Sequence, residues 1–196
     1  MDISADAHIL MQAAFQRECD NSISKTINFP NAATTEDCKA GFINAWKSGR
    51  LALDYVTIVT PNHAHFGPAK ACLEAGLPVV CEKPMTLTVE ESEKLVALVQ
   101  KKKVPFVLAH TYTGHPMMMF ARELIKKGEI GEIRKIESYY SQGWLASALE
   151  KDGQQQASWR TDPKRTGISN CGGDIGTHAF VAATWVSGLK VKKLSA

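Results

Sequence analysis

Between Leu53 and Gly128 the chain alternates short apolar runs with amphipathic ones. "LDYVTIVT" (53–60) is β-branched and nearly continuous, so it predicts a strand buried on both faces, ended by Pro61-Asn62. "HFGPAKACLEAG" (65–76) predicts a short helix with Gly76 as its C-terminal cap. "LPVVC" (77–81) is the next strand. Thr88 then opens a helix: Thr88-x-x-Glu91 has the spacing of a capping box, and Leu95, Val96, Leu98 and Val99 make one apolar face. "VPFVLAH" (104–110) is a third strand and "MMMFARELIKKG" (117–128) a helix ending at Gly128. Strands and helices alternating at this spacing predict βαβ units and a parallel sheet, an α/β fold.

The texture changes after Gly131. "EIRKIESYYSQ" (132–142) predicts a longer strand, with Ile133, Lys135, Glu137 and Tyr139 on one side and Arg134, Ile136, Ser138 and Tyr140 on the other. A polar stretch runs through Thr166, "CGGDIGTHAFVAATWVSG" (171–188) leads through glycines into a helix, and "LKVKKLSA" opens as a further strand. In the first fifty residues "ADAHILMQAAFQREC" is helical in pattern, "ISKTINF" (23–29) is a strand candidate and "TTEDCKAGFINAWKSG" a second helix.

Composition narrows the function classes. The chain has 196 residues, 44% hydrophobic and 22% charged, with a net charge of +3, which suits a folded core. Its lysine runs, Lys101–Lys103, Lys126–Lys127 and Lys192–Lys193, are short and scattered, so no basic stripe for nucleic acid is formed. No apolar run approaches the ~18 residues of a membrane span. Five cysteines without a Cys-x-x-Cys pair read as reduced thiols, and the N-terminus has no secretory pattern, so a cytoplasmic location is expected.

Ligands of an open parallel sheet bind outside the carboxyl ends of its strands. Polar clusters fall there: "TPNHAH" (60–65), "CEKP" (81–84) and "AHTYTGHP" (109–116). His63-x-His65 lacks nearby carboxylate or cysteine partners, so no metal site is expected. Taken with "GEIGEI", "WRTDP" and "GGDIGTHAF" in order, the run "TPNHAHFGPAKACLEAGLPVVCEKPMTLTVEESEKL" resembles the glucose–fructose oxidoreductase, inositol dehydrogenase and MocA (Gfo/Idh/MocA) family of NAD(P)-dependent oxidoreductases, from about Leu53 onward.

The resemblance implies a partial Rossmann-like sheet over 53–130 and the start of an α+β mixed-sheet substrate domain over 131–196. It implies NAD or NADP as cofactor and a small sugar, cyclitol or similar polyol as substrate. Thr60, Pro61 and Asn62 would line the cofactor cleft with His65 behind them. Glu82 and Lys83 would sit by the nicotinamide, with Pro84 a candidate for a cis peptide bond. Trp159 and Arg160 would reach the cofactor. His178 would take the proton of a substrate hydroxyl, Asp174 would orient substrate or imidazole, and Lys83 would hydrogen-bond the reacting oxygen. Asp174 and His178 lie four apart, which puts them on one helical face; a charge favouring the helix N-terminus is the structural reading of Asp174.

The strand, Gly-x-Gly-x-x-Gly and helix that cradle a pyrophosphate are absent from the sequence, so the sheet lacks its first βα unit and weak or no cofactor binding is expected. In their place "MQAAFQ…DN…SKTINFP" resembles a segment of adenosylcobalamin-dependent (class II) ribonucleotide reductases over residues 2–49, within a 1–52 helix–strand–helix segment; none of that family's radical cysteine motifs is present. The joined segments read as a chimera with its junction near Ser48–Leu53, in which "ISKTINF" could pair with "LDYVTIVT". Four readings stay open: an oxidoreductase fragment, inactive or weakly active; a non-catalytic chimeric fragment with exposed apolar surface; a remnant of a vitamin-B12-dependent reductase; and a homo-oligomer that completes its cofactor site with a partner chain.

Overall fold

The computed structural model describes residues 43–195. The strand candidate 23–29, its pairing with 55–60 and the reductase-like segment up to residue 42 lie outside these residues.

Three parallel strands form the sheet in the order β1 (Val56–Ile58), β2 (Val79–Glu82), β3 (Phe106–Ala109). Val56 pairs with Val79, and Val79 with Phe106, so the carboxyl ends of all three strands open on the same side. β1 was expected to be buried on both faces, yet Thr57 is exposed. Thr57 points to the face opposite Val56 and Ile58, and its ladder partner Val80 is likewise less buried than Val79 and Cys81, so this is the less covered face of the sheet. β2 is central, and Val79 and Cys81 on it are almost wholly buried.

Helix α1 (Asn44–Lys47) precedes β1, and α2 (Phe66–Ala75) joins β1 to β2. α2 ends as its glycine dictates, with Gly76 at φ 92° in the left-handed conformation. α3 (Val89–Lys102) joins β2 to β3; Thr88 Oγ1 accepts the Glu91 N–H at 3.2 Å, while Glu91 Oε2 accepts the Leu87 N–H rather than that of Thr88. Its apolar face is narrower than expected. Leu95 is buried and Leu98 and Val99 pack on the core, but Val96 is exposed. The core is small and continuous: Ile43, Ile58, Ala69, Cys72, Leu73, Leu77, Val79, Cys81 and Leu95.

After β3 a 3₁₀ turn (Thr111–Gly114) leads into α4 (Pro116–Lys126). The 132–142 segment does not form the expected strand, and neither does 189–195. A strand is defined by its ladder, and among the described residues neither segment has a strand beside it to pair with. Alternation of residue type predicts a face, not a partner. α5 (Gln155–Arg160) and α6 (Pro163–Thr166) follow, then a π-helical turn (Gly172–Gly176) and α7 (Thr177–Ser187), which packs against α4.

Leu77, two residues before β2, is fully buried. Leu77→Ala is expected to lower stability by about 2–5 kcal/mol and Thr88→Ala by about 1 kcal/mol, as read from urea midpoints. An unchanged midpoint for Leu77→Ala would contradict this core.

Candidate functional site

A cavity of about 210 Å³ opens beside the carboxyl end of β2, lined by Lys83, Tyr112, Tyr140, Gln142, Trp144, Arg160, Asp174, Ile175 and His178. Four of the expected residues therefore meet there: Lys83, Arg160, Asp174 and His178. Lys83 follows the last residue of β2 and is joined to Pro84 by a cis peptide bond. Asp174 sits in the π-helical turn and His178 in the first turn of α7. The wider π turn lies where sequence spacing predicts plain helix, and such turns recur at functional sites.

Asp174 organises the charges. Its Oδ1 takes the Lys83 ammonium at 2.7 Å, and its backbone carbonyl accepts a second hydrogen bond from the same nitrogen at 2.5 Å. Its Oδ2 faces Arg160 Nε at 3.3 Å. Both carboxylate oxygens are thus engaged by cations, and Lys83 and Arg160 are held near each other only because Asp174 lies between them. The Arg160 guanidinium is stacked in turn over Trp159, 4.2 Å from the ring centre, with Trp144 at 5.6 Å, and it donates to Gln156 Oε1. Trp159 is buried and serves as the floor beneath Arg160.

His178 lies among rings: Tyr112 at 4.6 Å, Tyr140 at 5.8 Å and His110 at 6.3 Å between centroids. Burial pushes its pKa below the ordinary imidazole range and the Lys83 charge adds to this, while Asp174 acts in the opposite direction. A neutral imidazole is a proton acceptor, the state a base requires. Cys81 offers no competing nucleophile, because burial, reinforced by Glu82, pushes its thiol up to about 12.

The other expected residues lie outside the cavity lining. Thr60 Oγ1 donates to the Ala64 carbonyl, and Asn62 Nδ2 donates to the Thr166 carbonyl at 3.1 Å. His65 is fully buried with its ring nitrogens 2.7 Å from the Pro84 carbonyl and 2.8 Å from that of Thr60. It ties the loop after β1 to the loop after β2. Pro61 precedes the 3₁₀ turn Asn62–Ala64, and Glu82 Oε2 accepts the Lys83 N–H at 3.2 Å. No group of three or more His, Cys, Asp and Glu suited to a metal occurs among the described residues. Nor is any helix there long and apolar enough to cross a membrane.

Sequence reasoning missed Tyr112, Tyr140, Gln142 and Trp144. The signal was present in part: Tyr140, Gln142 and Trp144 are spaced by two, the interval that brings side chains to one side of a non-helical segment.

Comparisons with known proteins show the family. A family model described as "Oxidoreductase family, NAD-binding Rossmann fold" (GFO_IDH_MocA) matches residues 13–110, beginning upstream of Leu53, and one described as "GFO/IDH/MocA C-terminal domain" matches 118–196. An uncharacterised oxidoreductase of Bacillus subtilis is 34% identical over 72% of this chain and 36% of its own length. Levoglucosan dehydrogenase of Pseudarthrobacter phenanthrenivorans is 34% identical over 81% of this chain and 40% of its own. The crystal structure of an inositol dehydrogenase homolog complexed with NAD+ from Azotobacter vinelandii superposes with a TM-score of 0.66 at 35% identity, covering 74% of this chain and 38% of that one. The chain thus spans about two fifths of the length of the curated relatives it matches.

Two outcomes test the site. Between its depressed native pKa and the ordinary value near ~6.5, His178 binds more protons in the unfolded chain, so stability rises with pH through that window. Wild type is expected to lose stability relative to His178→Gln as pH falls from about 7 to 5, and parallel urea profiles would show that the imidazole is not desolvated. Asp174→Asn leaves Lys83 and Arg160 facing each other and is expected to cost about 1–3 kcal/mol, a loss that shrinks in high salt as their repulsion is screened.

Proposed function

The chain belongs to the GFO/IDH/MocA oxidoreductase family, and on that footing we propose that it carries the substrate-facing part of a site oxidising a secondary hydroxyl of a sugar, cyclitol or similar cyclic polyol. The observation that carries this reading is the convergence of Lys83, Asp174 and His178 on one polar cavity at the carboxyl end of a parallel strand. At about 210 Å³ the cavity is below the roughly 300–1,000 Å³ of drug-sized sites, a size that suits one small ring. The relatives named for levoglucosan and inositol act, by those names, on compounds of that kind.

In this proposal His178 takes the hydroxyl proton, its neutral form being favoured by burial. Lys83 Nζ turns one hydrogen toward the same oxygen and stabilises the negative charge that grows there. Asp174 holds the ammonium in place, and Arg160 holds Asp174. The nicotinamide, when bound, supplies the hydride acceptor. Thr60, Pro61 and Glu82 would border it, a reading supported by their position at or just beyond the carboxyl ends of β1 and β2. Asn62 and His65, whose polar atoms are engaged within the fold, shape that border from behind.

The division into 1–52, 53–130 and 131–196 belongs to the same proposal, as does weak cofactor binding by this chain. A missing pyrophosphate cradle forgoes several charge-assisted hydrogen bonds of roughly 1.5–3 kcal/mol each. A second reading, a non-catalytic fragment, is favoured by one observation: Phe180, Leu189, Val191 and Leu194 are more than half exposed.

The deciding experiment follows nicotinamide reduction with myo-inositol or levoglucosan present. His178→Ala is expected to lower the rate about 10²–10⁴-fold. A rate indifferent to His178→Ala removes the assignment, and no rate at any cofactor concentration favours the non-catalytic reading.

A further inference from the structure

We infer that Tyr112 and Tyr140 are a positioning pair for His178, their joined phenols bridging the turn after β3 to the 132–142 segment and holding the imidazole against both rings. The two hydroxyl oxygens lie 2.5 Å apart. Each ring presents itself to the imidazole at a steep angle, 67° for Tyr112 and 68° for Tyr140. The bond between the phenols therefore closes a clamp whose two arms come from parts of the chain 28 residues apart.

The clamp is braced from outside, and the brace has a direction. An indole N–H can only donate, so Trp144 Nε1 at 3.1 Å fixes Oε1 of Gln142 as its acceptor. The amide nitrogen of Gln142 then donates to Tyr140 Oη at 2.9 Å. Tyr140 Oη thus accepts from Gln142 on one side and shares a single proton-bridged contact with Tyr112 on the other. The chain Trp144, Gln142, Tyr140, Tyr112 is thus continuous from the outside inward, and hydrogen bonds in such a chain strengthen one another. Tyr112 also packs edge-on to His115, which steadies it from the α4 side.

The clamp supplies the two nearer ring contacts of His178, beyond the edge-on contact of His110. The groups facing His178 are Lys83 from the end of β2, Asp174 from the π turn with Arg160 behind it, His110 and Tyr112 from the segment after β3, and Tyr140. Lys83 and Asp174 act on it through their charges, in opposite directions. The tyrosines act by keeping water away and by fixing orientation. Opening the clamp wets the ring.

The test reads the imidazole directly, by NMR titration of the His178 Cε1–Hε1 signal in the full chain, with exposed His63 as an internal control. Tyr112→Phe and Tyr140→Phe each keep a ring and remove one hydroxyl. Each is expected to raise the His178 midpoint by about half a pH unit toward the ordinary value near ~6.5, leaving His63 unmoved. Because the two hydroxyls share one bond, the double variant moves it no further than either single variant. Midpoints that superimpose on wild type overturn the inference, and so does a double variant whose shift equals the sum of the singles. If a phenylalanine variant loses the native His63 signal, Gln142→Leu at its exposed position makes the same test: a smaller rise is expected, and an unmoved midpoint overturns the inference. The inference rests on the proposed role of His178 as base, but that role is read by nicotinamide reduction, so the two fail separately.

Discussion

One carboxylate decides whether this site exists. Asp174 lies between Lys83 and Arg160 and engages both with separate oxygens. Two cations brought this close without an anion would repel, and the partly buried setting makes that repulsion stronger than in open water. Lys83 arrives from the end of β2 and Arg160 from α5, so the ion contacts also join the sheet to the helices that follow it. Asn62, hydrogen-bonded to the Thr166 carbonyl, makes a second join of the same kind nearby. The charges that would do chemistry are therefore the charges that hold the two parts of the chain in register.

The reading of family and the reading of geometry support each other at different points. Similarity to inositol and levoglucosan dehydrogenases covers about three quarters of this chain or more but only about two fifths of theirs. The residues of the chain itself show how a neutral imidazole is favoured. His178 is kept short of water by aromatic rings, while a cation and an anion nearby partly offset one another. That arrangement leaves burial as the main influence on the imidazole, so its basicity is set by packing more than by charge.

Sequence patterning made the α/β core legible because local rules are strong there. Continuous apolar runs gave β1, β2 and β3 their places, Gly76 marked the end of α2, and Thr88 marked the start of α3. Lys83, Asp174 and His178 were legible through a family resemblance, and Arg160 was expected near the cofactor, whereas its bond to Asp174 depends on tertiary folding that no local spacing encodes. The strand expected over 132–142 shows the limit plainly. Its alternation of residue types was real, and Tyr140 and Gln142 do turn into one cavity, but pairing needs a neighbour that a sequence window does not contain. Thr57 teaches the same lesson in reverse, since the less covered face of the sheet left it in solvent despite its apolar flanks.

Lys83 and the tyrosine clamp are anchored very unequally. Lys83 extends from the central strand, flanked by ladders on both sides, where backbone amides open only with the sheet as a whole. Tyr140, Gln142 and Trp144 hang on a segment that no ladder secures among the described residues. Local excursions of that segment cost far less than unfolding, so the cavity can lose one wall and regain it while the sheet stays intact. Hydrogen exchange would register this as two populations of amides, slow around Cys81 and fast around Tyr140.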